Sequence, residues 1–189
     1  MVTAWQSSRL RWKNGCDSKL CAAAQHVCLA RGTLPCEILF VGEAPSIAAD
    51  VVGEPFTGEI GAVMDEIITN AGAARYTCAF TNLICCVPRD PADGAKVIPP
   101  PEAGILACRP RLQEFILLCK PRLIVAVGFY ARCALRDMRS HAKGPAAPIA
   151  EMIHPAAILH KRRYGGYEFR QAVDALCKAV TAHLVREEP

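Results

Sequence analysis

The sequence predicts an α/β domain built on a parallel sheet with helices on both faces, and three observations carry that expectation. Short apolar runs closed by glycine alternate with stretches whose apolar residues recur at helical spacing. Such alternation requires right-handed crossovers, which cover both faces of a parallel sheet. A chain of 189 residues, 52% hydrophobic and 21% charged, is long enough and apolar enough to fill one core.

The elements follow in order. Residues 1–15 form a polar lead-in with two tryptophans. ILFVG, Ile38 to Gly42, is a buried strand ended by glycine, and a Pro/Gly-rich loop runs from Glu43 to Gly58. Ile60, Val63, Met64, Ile67 and Ile68 mark a helix that stops near Gly72. A second strand spans Ala79 to Ile84, and three prolines close the loop after it. A helix over Glu102 to Cys119 carries Ile105, Leu106, Leu112, Ile116 and Leu117 on its apolar side. RLIVAVG, Arg122 to Gly128, is the clearest parallel-type strand, and a helix starts at Phe129. A short strand, Ala150 to Ile153, runs into His154-Pro155, and an amphipathic helix covers Tyr167 to Arg186. No repeat or low-complexity segment interrupts this order.

Ligand sites in such sheets lie beyond the carboxyl ends of the strands. Three strand ends carry unusual chemistry: Gly42-Glu43-Ala44-Pro45, Thr81-Asn82 and His154-Pro155. A carboxylate leaving a strand can reach a bound ligand, although a capping role for Glu43 reads equally well from its segment. Phe56, fixed by Pro55, offers a flat face or an ordinary core ring. A buried Asn82 amide presents an acceptor and two donors, a match for the edge of a pyrimidine, where a turn asparagine is the plainer reading. His154 can donate to a carbonyl oxygen that gains charge. Apolar Ile158 and Leu159 precede His160, Lys161, Arg162 and Arg163, so a wedge stands beside a basic cluster. The plainer reading there is a solvated loop. The net charge of +4 permits a polyanionic partner without requiring one.

No apolar run spans a bilayer, and the first residues lack the apolar centre of a secretory signal, so a reducing cytoplasm is the expected compartment. Eleven cysteines are then unusual, and thiols acting as metal ligands become the leading expectation. Cys16-x4-Cys21, Cys85-Cys86 and Cys108 could hold zinc or an iron–sulfur cluster. Cys78, Cys119, Cys133 and Cys177 read as small core residues.

Taken together, GEAP with PFTG, TNLICCVP, ACRPRL, PRLIVAVG and HPAAIL resemble the family 4 uracil-DNA glycosylases, in order and from about Trp12 to Leu159. The resemblance implies a three-layer α/β/α sandwich with a central four-stranded parallel sheet, formed by one domain over 1–189. It implies a [4Fe–4S] cluster on Cys16, Cys21, Cys86 and Cys108, with residues 1–36 contributing ligands. Cys85, Cys28 and Cys36 are alternatives. The implied partner is uracil-containing DNA, single- or double-stranded, met by a monomer without a membrane. The implied reaction flips uracil out and hydrolyses its N-glycosidic bond, leaving an abasic site. Glu43 would serve the water and the cationic sugar, and His154 would stabilise charge on O2. Gly42, Ala44, Phe56 and Asn82 would bind the base; Ile158, Leu159, Lys161, Arg162 and Arg163 would bind DNA. Ser46 and Ala49 depart from the family's usual Gly and Glu. Those departures raise a second reading, a binding protein of the same fold with impaired turnover. An unrelated α/β protein with structural zinc is a third.

Overall fold

The computed structural model describes residues 3–16, 21, 24–140, 144–160 and 166–185. Its sheet has five strands in the order β1-β3-β2-β4-β5. They are β1 (Arg31–Gly32), β2 (Ile38–Gly42), β3 (Cys78–Asn82), β4 (Leu123–Val127) and β5 (Ile149–Met152). The last four are mutually parallel, as the alternation predicts, and β1 adds a two-residue antiparallel edge on β3. No turn chemistry or periodicity announces so short a strand.

Alternation along each strand sorts the core. Ile38 and Phe40 of β2 and Val125 and Val127 of β4 turn to one face, against α3 (Gly58–Asn70), α6 (Pro155–His160) and α7 (Tyr167–His183). Leu39 and Val41 with Ile124 and Ala126 face α4 (Glu102–Cys119) and α5 (Phe129–Arg139). Every residue of β2 and β4 is buried, which explains their unbroken apolar runs. Among the described residues no helix is long and apolar enough to cross a membrane.

Three expectations are corrected here. The polar lead-in contains a helix, α1 (Ala4–Arg11). Thr3 and Gln6 close a reciprocal capping box at its start, and Trp5 packs on Phe115 of α4 at 5.1 Å. Ile158 is no exposed wedge. Pro155 opens the short helix α6, which turns Ile158 fully into the core shared with α3 and α7, while Leu159 is half-buried against it. Cys133 and Cys177 are exposed on α5 and α7, whereas Cys119 is buried and Cys78 half-buried. Lys161, Arg162 and Arg163 lie outside the described residues.

Ser46 needs no altered backbone. It sits at φ −79° and ψ 170°, and its hydroxyl accepts from the Ala49 N–H at 3.2 Å as the N-cap of α2 (Ile47–Val52). Ala49 is buried, and its carbonyl accepts from the Cys28 thiol at 3.1 Å. Asp50 is buried beside it. It ties the N-terminal segment down by accepting from the backbone N–H groups of Gln25 and His26 at 2.9 and 3.0 Å.

Candidate active site and cysteine cluster

Parallel strands bring their carboxyl ends to one edge, and there the sequence-predicted residues meet. Gly42 ends β2 and Asn82 ends β3, paired in register. A Cβ placed on Gly42 would lie 2.3 Å from Asn82 Oδ1 and 2.6 Å from Phe56 Cζ. The amide and the ring therefore rest directly on that glycine. The Phe56 ring is near-parallel to the His154 imidazole, with centroids 6.3 Å apart and 27° between planes.

Phe56 occupies the left-handed backbone region at φ 55°, costly for a bulky residue. Arg31 fixes it there. Its Nε donates to the Pro55 carbonyl at 2.8 Å and its Nη2 to the Phe56 carbonyl at 3.0 Å. The guanidinium also lies 4.1 Å over the Phe80 ring.

Glu43 crosses from the end of β2 to the start of α5. Its Oε1 accepts from the Tyr130 N–H at 3.0 Å, with the Phe129 amide contributing. Burial raises the Glu43 pKa above the ordinary carboxylate value, against the lowering pull of those two amides. Gly128 makes the approach possible, because a Cβ there would sit 2.4 Å from Glu43 Oε1 and the backbone holds φ 99°. Gly128→Ala is expected to displace the carboxylate and lower any turnover that depends on Glu43 by at least tenfold. A variant with native turnover in a single-turnover assay would refute that placement.

Gly128 and His154 line a common cleft of about 560 Å³ with Phe129, Arg132 and Gln171. Burial pushes the His154 pKa down to about 4, so the ring is neutral at physiological pH. Its Nδ1 accepts from the Ala156 N–H at 3.1 Å, which leaves the proton on Nε2. Ala44 packs instead against the cysteine group on the other side of the β2 end.

That group gathers three segments. The structure pairs Cys16 with Cys108 and Cys21 with Cys86 as disulfides, where the sequence predicts four cluster ligands. Cys85 lies between the pairs, 3.7 Å from the Cys108 sulfur and 4.0 Å from that of Cys86. Cys28 and Cys36 do not belong to it. Cys28 bonds to the Ala49 carbonyl, and Cys36 packs with Cys119 in the core beneath the sheet. The donor set fits an iron–sulfur cluster in composition: five cysteine sulfurs gather here, and among the described residues no carboxylate or imidazole joins them.

Sequence reasoning missed Arg111. It is buried on the inward side of α4, and burial lowers its pKa. Its two Nη atoms donate to Thr81 Oγ1 at 2.9 Å, the Leu29 and Leu83 carbonyls at 3.3 and 3.1 Å, and the Asn82 carbonyl. It thus holds the chain around Asn82, from the Thr81 hydroxyl to the Leu83 carbonyl. A charged residue at helical spacing between Cys108, Leu112 and Phe115 was the available signal. Arg111→Ala is expected to cost roughly 3–5 kcal/mol, because several buried acceptors lose their donor. Lysine will not restore it, since one ammonium cannot span that fan of acceptors. Denaturant unfolding of both variants checks this.

A family profile described as the Uracil DNA glycosylase superfamily matches residues 30–177. The chain belongs to that superfamily. Its relatives there include a type-4 uracil-DNA glycosylase of Pyrobaculum aerophilum, 28% identical over 156 residues, covering 74% of this chain and 76% of the relative. The type-4 enzyme of Archaeoglobus fulgidus is 30% identical over 146 residues, 69% of this chain and 70% of its own length. That of Saccharolobus solfataricus is 36% identical over 98 residues, 51% and 43% of the two chains. The superfamily match takes in β1 to β5 and every site residue except Cys16 and Cys21, which precede it.

Proposed function

We propose that the chain is a DNA repair glycosylase that excises uracil and leaves an abasic site. The observation that carries this reading is the meeting of Gly42, Phe56, Asn82 and His154 at one sheet edge, with Glu43 anchored beside them. Those side chains offer what recognition of a flat pyrimidine calls for, a stacking ring, an amide, a neutral donor and a carboxylate, and this supports the reading.

Uracil leaves the base stack at a cost of a few kcal/mol, offset by the pocket and by phosphate contacts. Phe56 stacks on it, and Asn82 bonds O4 and N3–H. Cytosine donates where uracil accepts, which would leave buried groups unpaired at roughly 1–3 kcal/mol each. As the C1′–N1 bond breaks, its electron pair moves into the base, and charge on O2 meets the His154 Nε2–H and amides near Gly42. Glu43 faces the cationic sugar and receives a proton from the water that attacks C1′. Leu159, with Lys161, Arg162 and Arg163, is assigned to the DNA strand.

Cys16, Cys21, Cys86 and Cys108 would hold a [4Fe–4S] cluster, which ties the N-terminal segment to the sheet and takes no part in bond cleavage. The working form is a monomer acting in the cytoplasm on single- or double-stranded DNA. The impaired-binder reading loses one of its supports, since Ser46 caps α2 at an ordinary backbone angle.

Incubation of the iron-loaded protein with a uracil-containing oligonucleotide, followed by alkaline strand cleavage, tests the proposal. Release of uracil from the uracil strand and none from a cytosine control is expected. Tight, salt-sensitive binding without product would defeat it in favour of a binding protein.

A further inference from the structure

The cleft beside the catalytic carboxylate has a wall that excision of one base does not use. Phe129 opens α5 and is 59% exposed, although its own amide helps hold Glu43. Lone exposed apolar residues are common on protein surfaces and mean little. This one is braced. Its ring meets Tyr130 edge-on at 5.5 Å, and the Arg132 guanidinium lies 5.1 Å from the ring centroid. Both Phe129 and Arg132 line the cleft that contains His154.

The charge around the ring also points outward to an anion. Arg132 and Arg136 share one carboxylate, Glu151, so two cations face a single counter-charge on this wall. An open aromatic face with a guanidinium beside it, next to excess positive charge, is how proteins hold single-stranded nucleic acid without reading its sequence. This ring belongs to the residue immediately before Tyr130, whose amide fixes the carboxylate.

We propose that Phe129 is a stacking platform for the base adjoining the flipped uracil, with Arg132 placed for that nucleotide's phosphate. The inference rests on the glycosylase reading and adds a subsite to it: the protein grips a dinucleotide, not an isolated base. It follows that the strand is unstacked beyond the uracil on one side.

The test uses the iron-loaded full chain and an oligonucleotide carrying an uncleavable 2′-fluoro-deoxyuridine, with 2-aminopurine on one or the other side of it. In the native protein, 2-aminopurine on one side changes its emission on binding. Phe129→Leu, which keeps the bulk and loses the π face, is expected to lose that change and about tenfold in DNA affinity. Phe129→Trp is expected to restore both. Native affinity and emission in Phe129→Leu would overturn the subsite. An equal loss of inhibition by free uracil would overturn it too, since the pocket itself would then have been disturbed. Uracil excision by the native protein is run in parallel. Its absence defeats the glycosylase reading, whereas excision with an unaffected Phe129→Leu defeats the platform alone.

Discussion

Glu43→Gln is expected to lower the rate of uracil excision by about 10²–10⁴-fold while leaving DNA affinity equal or improved. Glutamine keeps the length of the side chain and an oxygen that can still accept from the Tyr130 N–H, so the end of β2 stays moored to α5. It loses the negative charge that the proposed mechanism sets against the cationic sugar, and the capacity to take a proton. Binding should not suffer, because a carboxylate near a polyanion repels it. The pH dependence follows with a definite sign. The proposed mechanism needs ionised Glu43, and burial raises its folded pKa, so the acid limb of the rate profile is expected above the ordinary carboxylate range. His154 takes up a proton only near pH 4, below that limb. Linkage gives a second readout. A folded pKa above the unfolded value means that stability is fully present in acid and is lost as pH rises through the Glu43 titration. Glu43→Gln should therefore melt higher than the native protein at neutral pH, with the difference vanishing in acid. A variant within tenfold of native turnover, or one with a lower neutral-pH melting temperature, contradicts the assignment.

Much of this was legible because strand physics leaves a strong mark. ILFVG and LIVAV are buried on both faces, so their apolar runs have no polar interruption and their ends are set by glycine. The same glycines turn out to be where side chains press on backbone, Asn82 and Phe56 at Gly42 and Glu43 at Gly128. The convergence of Glu43, Asn82 and His154 followed from parallel topology alone, since successive strand ends must share an edge. What escaped were elements stabilised by single local or long-range contacts. Helix α1 has no apolar stripe; it depends on the Thr3–Gln6 capping box and on long-range contacts with α4, Trp5 on Phe115 and Arg11 and Trp12 on Glu114. HPAAIL looked like an exposed wedge, yet proline at a first helical position already favoured a short helix. Arg111 and Arg31 position Asn82 and Phe56 through contacts with distant backbone, 29 and 25 residues away in the cases of Asn82 and Phe56. No periodicity encodes that.

Serine replacement of Cys86 or Cys108 is expected to abolish binding of the proposed cluster and to cost on the order of 3–5 kcal/mol, the scale of losing a covalent or metal tie in a small fold. Excision should fall with it, even though the proposed cluster is assigned no part in bond cleavage. Asn82 reaches Cys86 through Leu83-Ile84-Cys85, and Ala44, next to Glu43, packs on the same cysteine group. Loosening those sulfurs therefore loosens both strand ends that carry the site. Cys28→Ser is the control: that thiol bonds to the Ala49 carbonyl and, although its backbone touches Cys85, it joins neither cysteine grouping, so iron content should be unchanged. The same residues can be joined either as two disulfides or around iron, and redox chemistry separates the two. Cluster-bound protein keeps its melting temperature in a thiol reductant and loses it to an oxidant with a chelator. Disulfide-paired protein behaves in the opposite way. Purified anaerobically, the native chain is expected to contain iron and acid-labile sulfide and to resist reductant. Fully active protein without either, destabilised by reductant, would remove the cluster from the account and leave the covalent pairs as the staple.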